Sequence, residues 1–438
     1  MKKKIIVIGS GLAGMTAAVE LCEAGHEVHV LESRHVIGGR TSSWNENGMQ
    51  VESGLHRYLG FYSALPKLLE KVGTKLDDVL FWEDEIEIRV PDGTRAVFGM
   101  SLLHKPFETI WSAFGHNDFL SPKDKLIIGA MFAAGIKDYV TQPEKLDTIT
   151  VIEYAENHHI SKRAIVRLLK PITEGVFFMP IEHYSAYNFF GLFVPFLPQI
   201  AKARVGAFKG GMTDVLMQPL LRYITNHGGK LTVGTTVEKL KVRKGKVTGV
   251  FVGGNHMAAD AVVLAASLHG AQKIIQASFK TGFEKLLALP TMPSVTFQIE
   301  LTEPSMKLDR TTFGPTTALA SFAEQSRTTF RASNGRLSVI LTPPEKYLEM
   351  PPELILDVVM ADAKKLGITL EGKVKRYHKV SLPHDFYSLS IGSEALRPPQ
   401  ETHIVGLALA GDYTKQEHLA TMEGAVVSGQ RAAAILLR

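Results

Sequence analysis

The first forty residues constrain the fold of this 438-residue chain more than any other segment. An apolar run at Ile5–Ile8 precedes a glycine-rich turn at Gly9–Gly14, and an alanine-rich stretch then continues to Ala24. A second apolar run ends at Glu32, where a carboxylate can accept a hydrogen bond from a ribose hydroxyl. This succession of strand, tight turn, helix, strand and acid predicts a dinucleotide-binding βαβ unit.

The three glycines of this turn, which we call the phosphate loop, have separate predicted roles. Gly9 permits the sharp turn, Gly11 lets the backbone approach a pyrophosphate, and Gly14 lets the helix pack closely on the strand. The N–H groups and positive potential of the helix N-terminus then face the phosphates. A GxGxxG motif alone is a weak signal, and the flanking elements make it specific.

The residues after Glu32 indicate which dinucleotide binds. Ser33 and Arg34 follow directly, and a Gly-Gly-Arg triplet containing Gly39 and Arg40 completes an ExRxxxGGR pattern. This stretch resembles that of amine-oxidase-like flavoproteins, in which the second glycine pair and its arginine continue along the FAD pyrophosphate towards the flavin. The resemblance implies that Glu32, Ser33, Arg34, Gly39 and Arg40 all contact FAD. The alternative is a surface turn in which Arg40 pairs with a carboxylate.

Composition and charge narrow the class of protein. A chain of this length is too long for a single core and suits two intertwined domains. An apolar content of 45% and a charged content of 21% are typical of a folded globular protein. The formal net charge is +5, but the basic residues are interspersed with acidic ones, so no nucleic-acid partner is expected.

The only cysteine, Cys22, lies in the alanine-rich helix and is predicted to be buried. A single cysteine excludes an intrachain disulfide and a cysteine-based metal site, and no metal is expected. No signal peptide is recognisable, and no apolar stretch reaches the roughly 18 to 20 residues that span a bilayer. We therefore expect a cytoplasmic location, with peripheral membrane contact as an additional feature.

The C-terminal region carries the most specific resemblance. Ala410–Gln416 and Leu419–Gly429 resemble the C-terminal flavin motif of the plant-type phytoene and ζ-carotene desaturases, a branch of the flavin amine-oxidase superfamily. Glu52–His56 resembles the GLH segment of these enzymes, and Lys209–Met212 resembles their GGM element. The anchors lie at both ends and in the middle of the expected FAD domain, so they specify the cofactor better than the substrate.

This resemblance implies further contacts with FAD. They are a backbone contact to adenine at Val237, a ribitol or phosphate contact at Gly411 and Asp412, and a helix N-terminus under the flavin ring at Met422, Glu423, Gly424 and Ala425. A helix N-terminus in that place stabilises the negative charge of reduced flavin. Taken alone, Asp412 could instead be a helix N-cap. Because no cysteine lies near this motif, FAD is expected to bind non-covalently.

The expected fold is α/β, with a Rossmann-like FAD-binding domain and an inserted mixed α+β substrate domain. The FAD domain is expected to be discontinuous, and its segments are 1–75, 206–270 and 385–438. The substrate domain takes 76–205 and 271–384, including a helical part that could face a membrane. A helix at 213–226 and strands near 230–233, 237–243, 247–252 and 261–265 form a second block that should rejoin the first sheet. Near the C-terminus we expect a strand at 402–410 and a helix at 422–437.

The function implied by the resemblance is FAD-dependent desaturation of a carotenoid or another long isoprenoid lipid, with hydride transfer to flavin N5. No second GxGxxG motif for a nicotinamide is present, so electrons should leave to a diffusible acceptor such as a quinone or oxygen. The aromatic-rich stretch 177–198 and the apolar run 126–136 have two interpretations. They form the core of the substrate domain, or they form a hydrophobic entrance that dips into a bilayer.

Two residues are candidates for catalysis. His56 could be a polar group near the flavin ring, although a structural histidine explains it equally well. Lys273 would be relevant to a different activity, amine oxidation, where a lysine acts through water near flavin N5; a solvent-facing helix lysine is the other interpretation. A third possibility is a flavin-dependent polyene isomerase or an enzyme like hydroxysqualene dehydroxylase. A non-enzymatic FAD-binding protein is the remaining alternative.

Overall fold

The computed structural model describes residues 2–438. Its strands, in chain order, are β1 Lys4–Ile8, β2 Glu27–Leu31, β3 Ser43–Glu46, β4 Met49–Glu52, β5 Tyr58–Leu59, β6 Leu80–Glu83, β7 Glu85–Arg89, β8 Arg95–Gly99, β9 Val205–Phe208, β10 Lys230–Thr232, β11 Val237–Arg243, β12 Lys246–Val252, β13 Asn255–Ala258, β14 Ala261–Leu264, β15 Thr291–Leu301, β16 Thr312–Phe313, β17 Leu319–Glu324, β18 Gly335–Leu341, β19 Val374–Tyr387 and β20 Leu407–Leu409.

The helices, also in chain order, are α1 Leu12–Glu23, α2 Ala64–Lys71, α3 Leu76–Val79, α4 Pro106–Phe114, α5 Pro122–Thr141, α6 Pro143–Leu146, α7 Val151–Asn157, α8 Lys162–Ala164, α9 Lys170–Phe177, α10 Ala186–Gly191, α11 Gln218–Asn226, α12 Leu268–Ser278, α13 Glu284–Ala288, α14 Pro352–Lys365 and α15 Met422–Leu437. Short 3₁₀ and π segments join several of them.

A five-stranded parallel sheet forms the first layer, in the order β10-β2-β1-β14-β20. The apolar run of β1 is buried because strands flank it on both sides and helices cover the sheet. Helix α1 packs against α11 and α15. It crosses α15 closely, since a Cβ placed on Gly429 would lie 2.3 Å from the carbonyl oxygen of Ala13. The predicted Rossmann-like βαβ unit is confirmed.

The strands of this sheet come from three separate parts of the chain, all within the segments expected for the FAD domain. Between β10 and β14 the chain forms a separate antiparallel sheet, β11-β12-β13. The second block therefore rejoins the first sheet only through β10 and β14. The exact limits of the two domains stay a prediction.

Two expected elements differ in their extent. The strand expected at 402–410 is shortened to Leu407–Leu409, because Val405 exchanges backbone hydrogen bonds with Gly245 and Val247 beside β12. The helix expected at 213–226 begins as a π turn, Thr213–Met217, and only then continues as α11. Helix α15 begins and ends where it was predicted.

A seven-stranded sheet forms the second layer, in the order β19-β15-β18-β17-β16-β7-β8. Its central strands β17 and β18 are buried throughout, and α14 contributes Ile355, Val359 and Ala363 to the adjacent core. Strands β7 and β8 precede the helical region, and β7 pairs in parallel with β16. Both segments expected for the substrate domain thus contribute to one sheet.

The helical region from α4 to α10 forms a third layer. Its centre is an aromatic cluster, in which Phe132, Phe189, Phe190 and Phe193 make edge or tilted contacts with ring centroids 5.2–5.8 Å apart. The rings of Phe177, Tyr184, Phe189, Phe190 and Phe196 are buried, so this part of the stretch 177–198 is core, the first of its two interpretations. In the described part of the chain, 2–438, no helix combines the length and apolarity needed to cross a membrane.

Candidate functional site

The phosphate loop joins β1 to α1 with the geometry that its glycines predict. A Cβ on Gly9, at φ +103°, would lie 2.7 Å from the carbonyl oxygen of Ala265, and one on Gly14 would lie 2.1 Å from the carbonyl oxygen of Gly9. Packing within the protein therefore requires both glycines. A Cβ on Gly11 would instead meet no atom within 4 Å, so this residue borders open space beside the loop.

The N-terminus of α1 is suited to an anion. Gly11 is its N-cap, no side chain caps the helix, and no acidic residue lies in its first turn. The first N–H groups of a helix lack intrahelical partners and carry partial positive charge. Together with the space beside Gly11, this arrangement fits the pyrophosphate of a dinucleotide.

Glu32 is buried at the end of β2 and fastens the phosphate loop to that strand. Its Oε2 accepts hydrogen bonds from the backbone N (2.8 Å) and the Oγ (2.6 Å) of Ser10. Its Oε1 accepts from the backbone N of Arg34 at 2.9 Å and from the Oγ of Ser33 at 3.3 Å. The carboxylate is thus placed by the loop itself, and its contact with a ribose stays a prediction.

The part of the site that is expected to bind the adenosine of FAD lies next to Glu32. Thr235 N donates to Glu32 O at 2.8 Å, and Gly234 N donates to Arg34 O at 3.0 Å. Val237 follows two residues later and is buried at the start of β11. The structure therefore brings the segment that leads to Val237 beside residues 32–34, and the contact of Val237 with adenine stays a prediction.

The second glycine pair packs directly against the phosphate loop. Gly38 N donates to Ser10 O at 3.1 Å, and Gly39 has a φ of +57°. A Cβ on Gly39 would lie 3.3 Å from the Cα of Gly11, so a side chain there would press on the loop. The Gly-Gly-Arg triplet and the first glycine motif therefore form one continuous surface.

Arg40 projects from this triplet and forms a bidentate ion pair with the buried carboxylate of Asp412. Its Nη1 lies 3.0 Å from Asp412 Oδ2. Burial lowers the pKa of Arg40, but the carboxylates of Asp412 and Asp385 raise it by more, so the guanidinium stays charged. Its other face lies over the ring of Phe386, 5.3 Å from the centroid. Arg40 therefore pairs with a carboxylate, but the triplet packs on the phosphate loop instead of forming a surface turn, and its contact with FAD stays a prediction.

The loop 411–416 is held by an arginine that the sequence analysis did not identify. Arg397 is buried and donates to the backbone carbonyls of Asp412, Thr414 and Gln416, while its Nη1 lies 2.7 Å from Glu394 Oε2. These bonds fix the backbone of the loop that carries Asp412. A buried arginine has no local sequence signature, since burial depends on elements far apart in the chain.

The first turn of α15 consists of Met422, Glu423, Gly424 and Ala425, and the side chain of Glu423 reaches the N-terminus of α2. Glu423 is fully buried, and its carboxylate accepts hydrogen bonds from the backbone N of Ser63, Ala64 and Leu65 at 2.6, 2.6 and 3.0 Å. It therefore caps the N-terminus of α2 instead of facing a cofactor. The predicted flavin contact of this turn therefore does not involve the carboxylate of Glu423.

Two titratable groups lie close to the Arg40–Asp412 pair. His56 is near enough to affect Asp385, and its Nδ1 lies 3.9 Å from Glu52 Oε2. Burial raises the pKa of Asp385, although Arg40 and a hydrogen bond from Ser294 Oγ (2.6 Å) counteract this effect. We call Arg40, Asp412, Asp385 and His56 the polar cluster. Asp385 was missed because nothing in its local sequence marks it as internal.

Unpaired polar atoms in and beside the polar cluster indicate that a polar ligand fits there. His56 Nδ1, Tyr387 OH and Tyr413 OH are buried and have no hydrogen-bond partner in the described residues. Because buried polar atoms are nearly always paired, such atoms indicate a place for a polar partner. The uncapped helix, the open side of Gly11 and these atoms together fit a flavin dinucleotide.

Lys273 is not part of the polar cluster. It is exposed on α12, and the neighbouring His269 stacks on His384 at a centroid distance of 3.9 Å. The structure thus favours the solvent-facing interpretation of this lysine over a position beside flavin N5. Cys22 is buried as predicted, and burial raises the pKa of its thiol to about 11.

Comparison with known proteins decides the family. A family profile described as flavin containing amine oxidoreductase matches residues 12–437. This chain belongs to that family. It is a flavin-dependent oxidoreductase, and its resemblance to carotene desaturases is confirmed.

Relatives of known activity share the whole length of the chain. The ζ-carotene desaturase of Synechocystis sp. is 28% identical over 99% of this chain and 97% of its own length. The chloroplastic/chromoplastic 15-cis-phytoene desaturase of an Oncidium hybrid cultivar is 26% identical over 99% of this chain and 78% of its own length.

Solved structures show the same fold. An oxidoreductase from Methanosarcina mazei matches with a TM-score of 0.76 and 20% identity, covering 98% of this chain and all of its own. A putrescine oxidase bound to putrescine matches with a TM-score of 0.77 and 19% identity, with both chains fully covered. At this identity the likeness concerns the fold and not the substrate.

Proposed function

We propose that this flavoprotein binds FAD non-covalently and desaturates a carotenoid or another long isoprenoid lipid. The observation that carries the proposal is the extent of similarity to the ζ-carotene desaturase, which includes the substrate side as well as the cofactor side. Two hydrogens leave a CH–CH unit of the substrate, and the electrons pass to a diffusible acceptor such as a quinone or oxygen. The proposed location is the cytoplasmic side of a membrane.

Residues of this chain account for the binding of FAD. The phosphate loop and the N-terminus of α1 would hold the pyrophosphate, and Glu32 would hold the ribose. Arg40 and Asp412 would lie along the ribitol, and the N-terminus of α15 would supply positive potential under the ring. No cysteine is available near this motif for a covalent link, because Cys22 is buried in α1. When bound, FAD supplies a hydride acceptor.

The polar cluster can handle the proton that leaves with the hydride. His56 Nδ1 is buried and unpartnered, so it can accept a proton, and the Asp385 carboxyl nearby can stabilise the resulting charge. On one side of the cluster, Phe386 covers Arg40 and meets Phe178. Phe178 in turn lines a surface cleft of about 330 Å³, whose walls combine apolar side chains such as Met179 with polar ones such as Glu182.

An anaerobic bleaching assay tests the proposal. The FAD-loaded protein is mixed with phytoene, ζ-carotene or a squalene-type lipid in micelles, and separately with a panel of amines, while flavin absorbance is followed. We expect a polyene to bleach the flavin and to gain a double bond. Bleaching by amines alone would replace the proposal with amine oxidation. A product at an unchanged oxidation level would indicate an isomerase or dehydroxylase.

The role of His56 is tested in the same assay. His56→Gln should keep FAD bound and slow flavin reduction roughly 10²-fold or more, as the loss of a general base does. Asp385→Asn should slow it less, because Asp385 acts through His56. Unchanged reduction in His56→Gln would show that this histidine is structural.

A further inference from the structure

Helix α4 presents its apolar side to solvent. Phe107, Ile110, Trp111 and Phe114 follow the i, i+3, i+4, i+7 spacing of a single helix face, and between 50% and 88% of each residue is exposed. In a globular protein such a stripe normally packs on the core. Three large aromatic side chains in water on nine residues therefore require an explanation.

The polar side of α4 is the side that contacts the protein. Ser112 Oγ accepts a hydrogen bond from Gly99 N at 2.7 Å, and Thr109 Oγ1 accepts one from Ser101 N at 3.2 Å. A Cβ on Gly99 would lie 2.6 Å from the Cα of Thr109, so the helix sits tightly on the end of β8. Turning the aromatic stripe inwards would break both bonds. The outward orientation is therefore built into the fold.

The apolar area extends beyond the helix. Lys125 Nζ donates to the carbonyl oxygen of Phe114 at 2.6 Å, which joins the start of α5 to the end of α4. The next residue, Leu126, is 76% exposed, and Leu103 before α4 is also exposed. We define the α4 surface as Leu103, Phe107, Ile110, Trp111, Phe114 and Leu126.

We propose that the α4 surface docks the protein onto the interfacial region of an anionic lipid bilayer. A nine-residue helix is about 14 Å long, so it can lie in the plane of the interface but cannot span the bilayer. Tryptophan and phenylalanine on an exposed helix face suit the boundary between headgroups and acyl chains. Lys123 is exposed beside this surface, and the chain carries a net charge of +5, which complements anionic headgroups.

A bilayer explains this surface better than a second copy of the chain. Aromatic side chains bury roughly 150–250 Å² each, so the three rings offer roughly 450–750 Å², and the aliphatic residues bring the α4 surface close to the size of one side of a protein interface. Shape therefore separates the two occupants better than area does. Stable protein interfaces bury about 800 Å² on each partner and need complementary shape. A lipid interface imposes no such requirement. The docking proposal deepens the proposed function and rests on it for its biological purpose. Isoprenoid lipids dissolve in bilayers, so a protein docked on a bilayer lies next to its proposed substrate.

The test is flotation of the FAD-loaded protein with vesicles of equimolar phosphatidylcholine and phosphatidylglycerol. Wild type should float, and the variant Phe107→Ser/Trp111→Ser should lose vesicle binding by at least tenfold. The matched control is Leu354→Ser/Val405→Ser, which removes two exposed apolar residues outside the α4 surface and should float like wild type. Both sets of side chains are exposed, so neither change should affect folding.

Two results would overturn the docking proposal. One is wild-type protein that stays with the unbound fraction, and the other is a double variant that floats as well as wild type. If wild type fails to float and forms a dimer that the double variant abolishes, a second copy covers the surface instead. Bleaching with micellar carotenoid is measured in parallel and should be equal in wild type and the double variant. Its failure in wild type would count against the desaturase function without changing the flotation result.

Discussion

The substitution Glu423→Gln tests whether this glutamate acts on the fold or on the cofactor. The carboxylate accepts three backbone N–H groups and the hydroxyl of Ser63 at the N-terminus of α2, all within 3.0 Å. An amide keeps one acceptor oxygen but turns an NH₂ donor towards backbone donors. A hydrogen bond to a charged group contributes about 1.5–3 kcal/mol, and the charge at a helix N-terminus about 0.3–1 kcal/mol. We therefore expect α2 to lose about 2–4 kcal/mol of local stability.

Hydrogen exchange measures this loss where it occurs. Exchange of the amides at residues 63–68 should become roughly 30- to 700-fold faster, in the presence and in the absence of FAD. Glu417→Gln is the matched control, because Glu417 lies a few residues before α15, is exposed and pairs with Arg431 instead of with α2. The reasoning is refuted if exchange in Glu423→Gln changes by less than about threefold while FAD affinity falls. That outcome would return Glu423 to the cofactor.

Three further predictions follow from single positions. Gly11→Ala should unfold at the wild-type temperature but bind FAD poorly, whereas Gly14→Ala, whose Cβ meets a loop carbonyl at 2.1 Å, should lose both stability and FAD; identical thermal and FAD-titration behaviour would contradict this. Lys273→Gln should leave flavin reduction within about twofold of wild type, and a tenfold loss would restore its catalytic role. Because burial raises the pKa of Cys22 from 9.0 to about 11, its thiolate fraction at pH 8 should be about a hundredfold below that of the unfolded chain. Ellman's reagent should therefore label Cys22 rapidly at that pH only after denaturation, and rapid labelling of native protein would show that the helix opens.

The parts of the site that are formed by residues adjacent in the sequence were predictable from that sequence. The phosphate loop, the Gly-Gly-Arg triplet and α15 all combine a turn that needs glycine with an adjoining regular element. Their mutual contact, with Gly39 against Gly11, followed from a resemblance and was not derivable from spacing. The expected strand at 402–410 was too long, since the apolar pattern could not show that Val405 bonds to the turn at Gly245.

Residues joined across the chain were the ones that sequence reasoning missed. Arg397 and Asp385 look like ordinary surface charges until the fold buries or encloses them. For Glu423 the expectation covered only its place in the first turn of α15, whereas its carboxylate reaches α2, about 360 residues earlier in the chain. The direction of a side chain around a helix axis decides such roles, and a neighbouring element fixes that direction.

By itself the sequence determined the nucleotide-binding unit, the class of cofactor and the family, because glycine conformations and helix ends are local properties of the backbone. Only the tertiary structure decided which charges meet in the polar cluster and which face of α4 meets solvent. The stripe at Phe107–Phe114 has the spacing of a buried helix face, and two hydrogen bonds from Gly99 and Ser101 hold it outwards. Apolar periodicity identifies a face of a helix, but long-range contacts select the environment that this face receives.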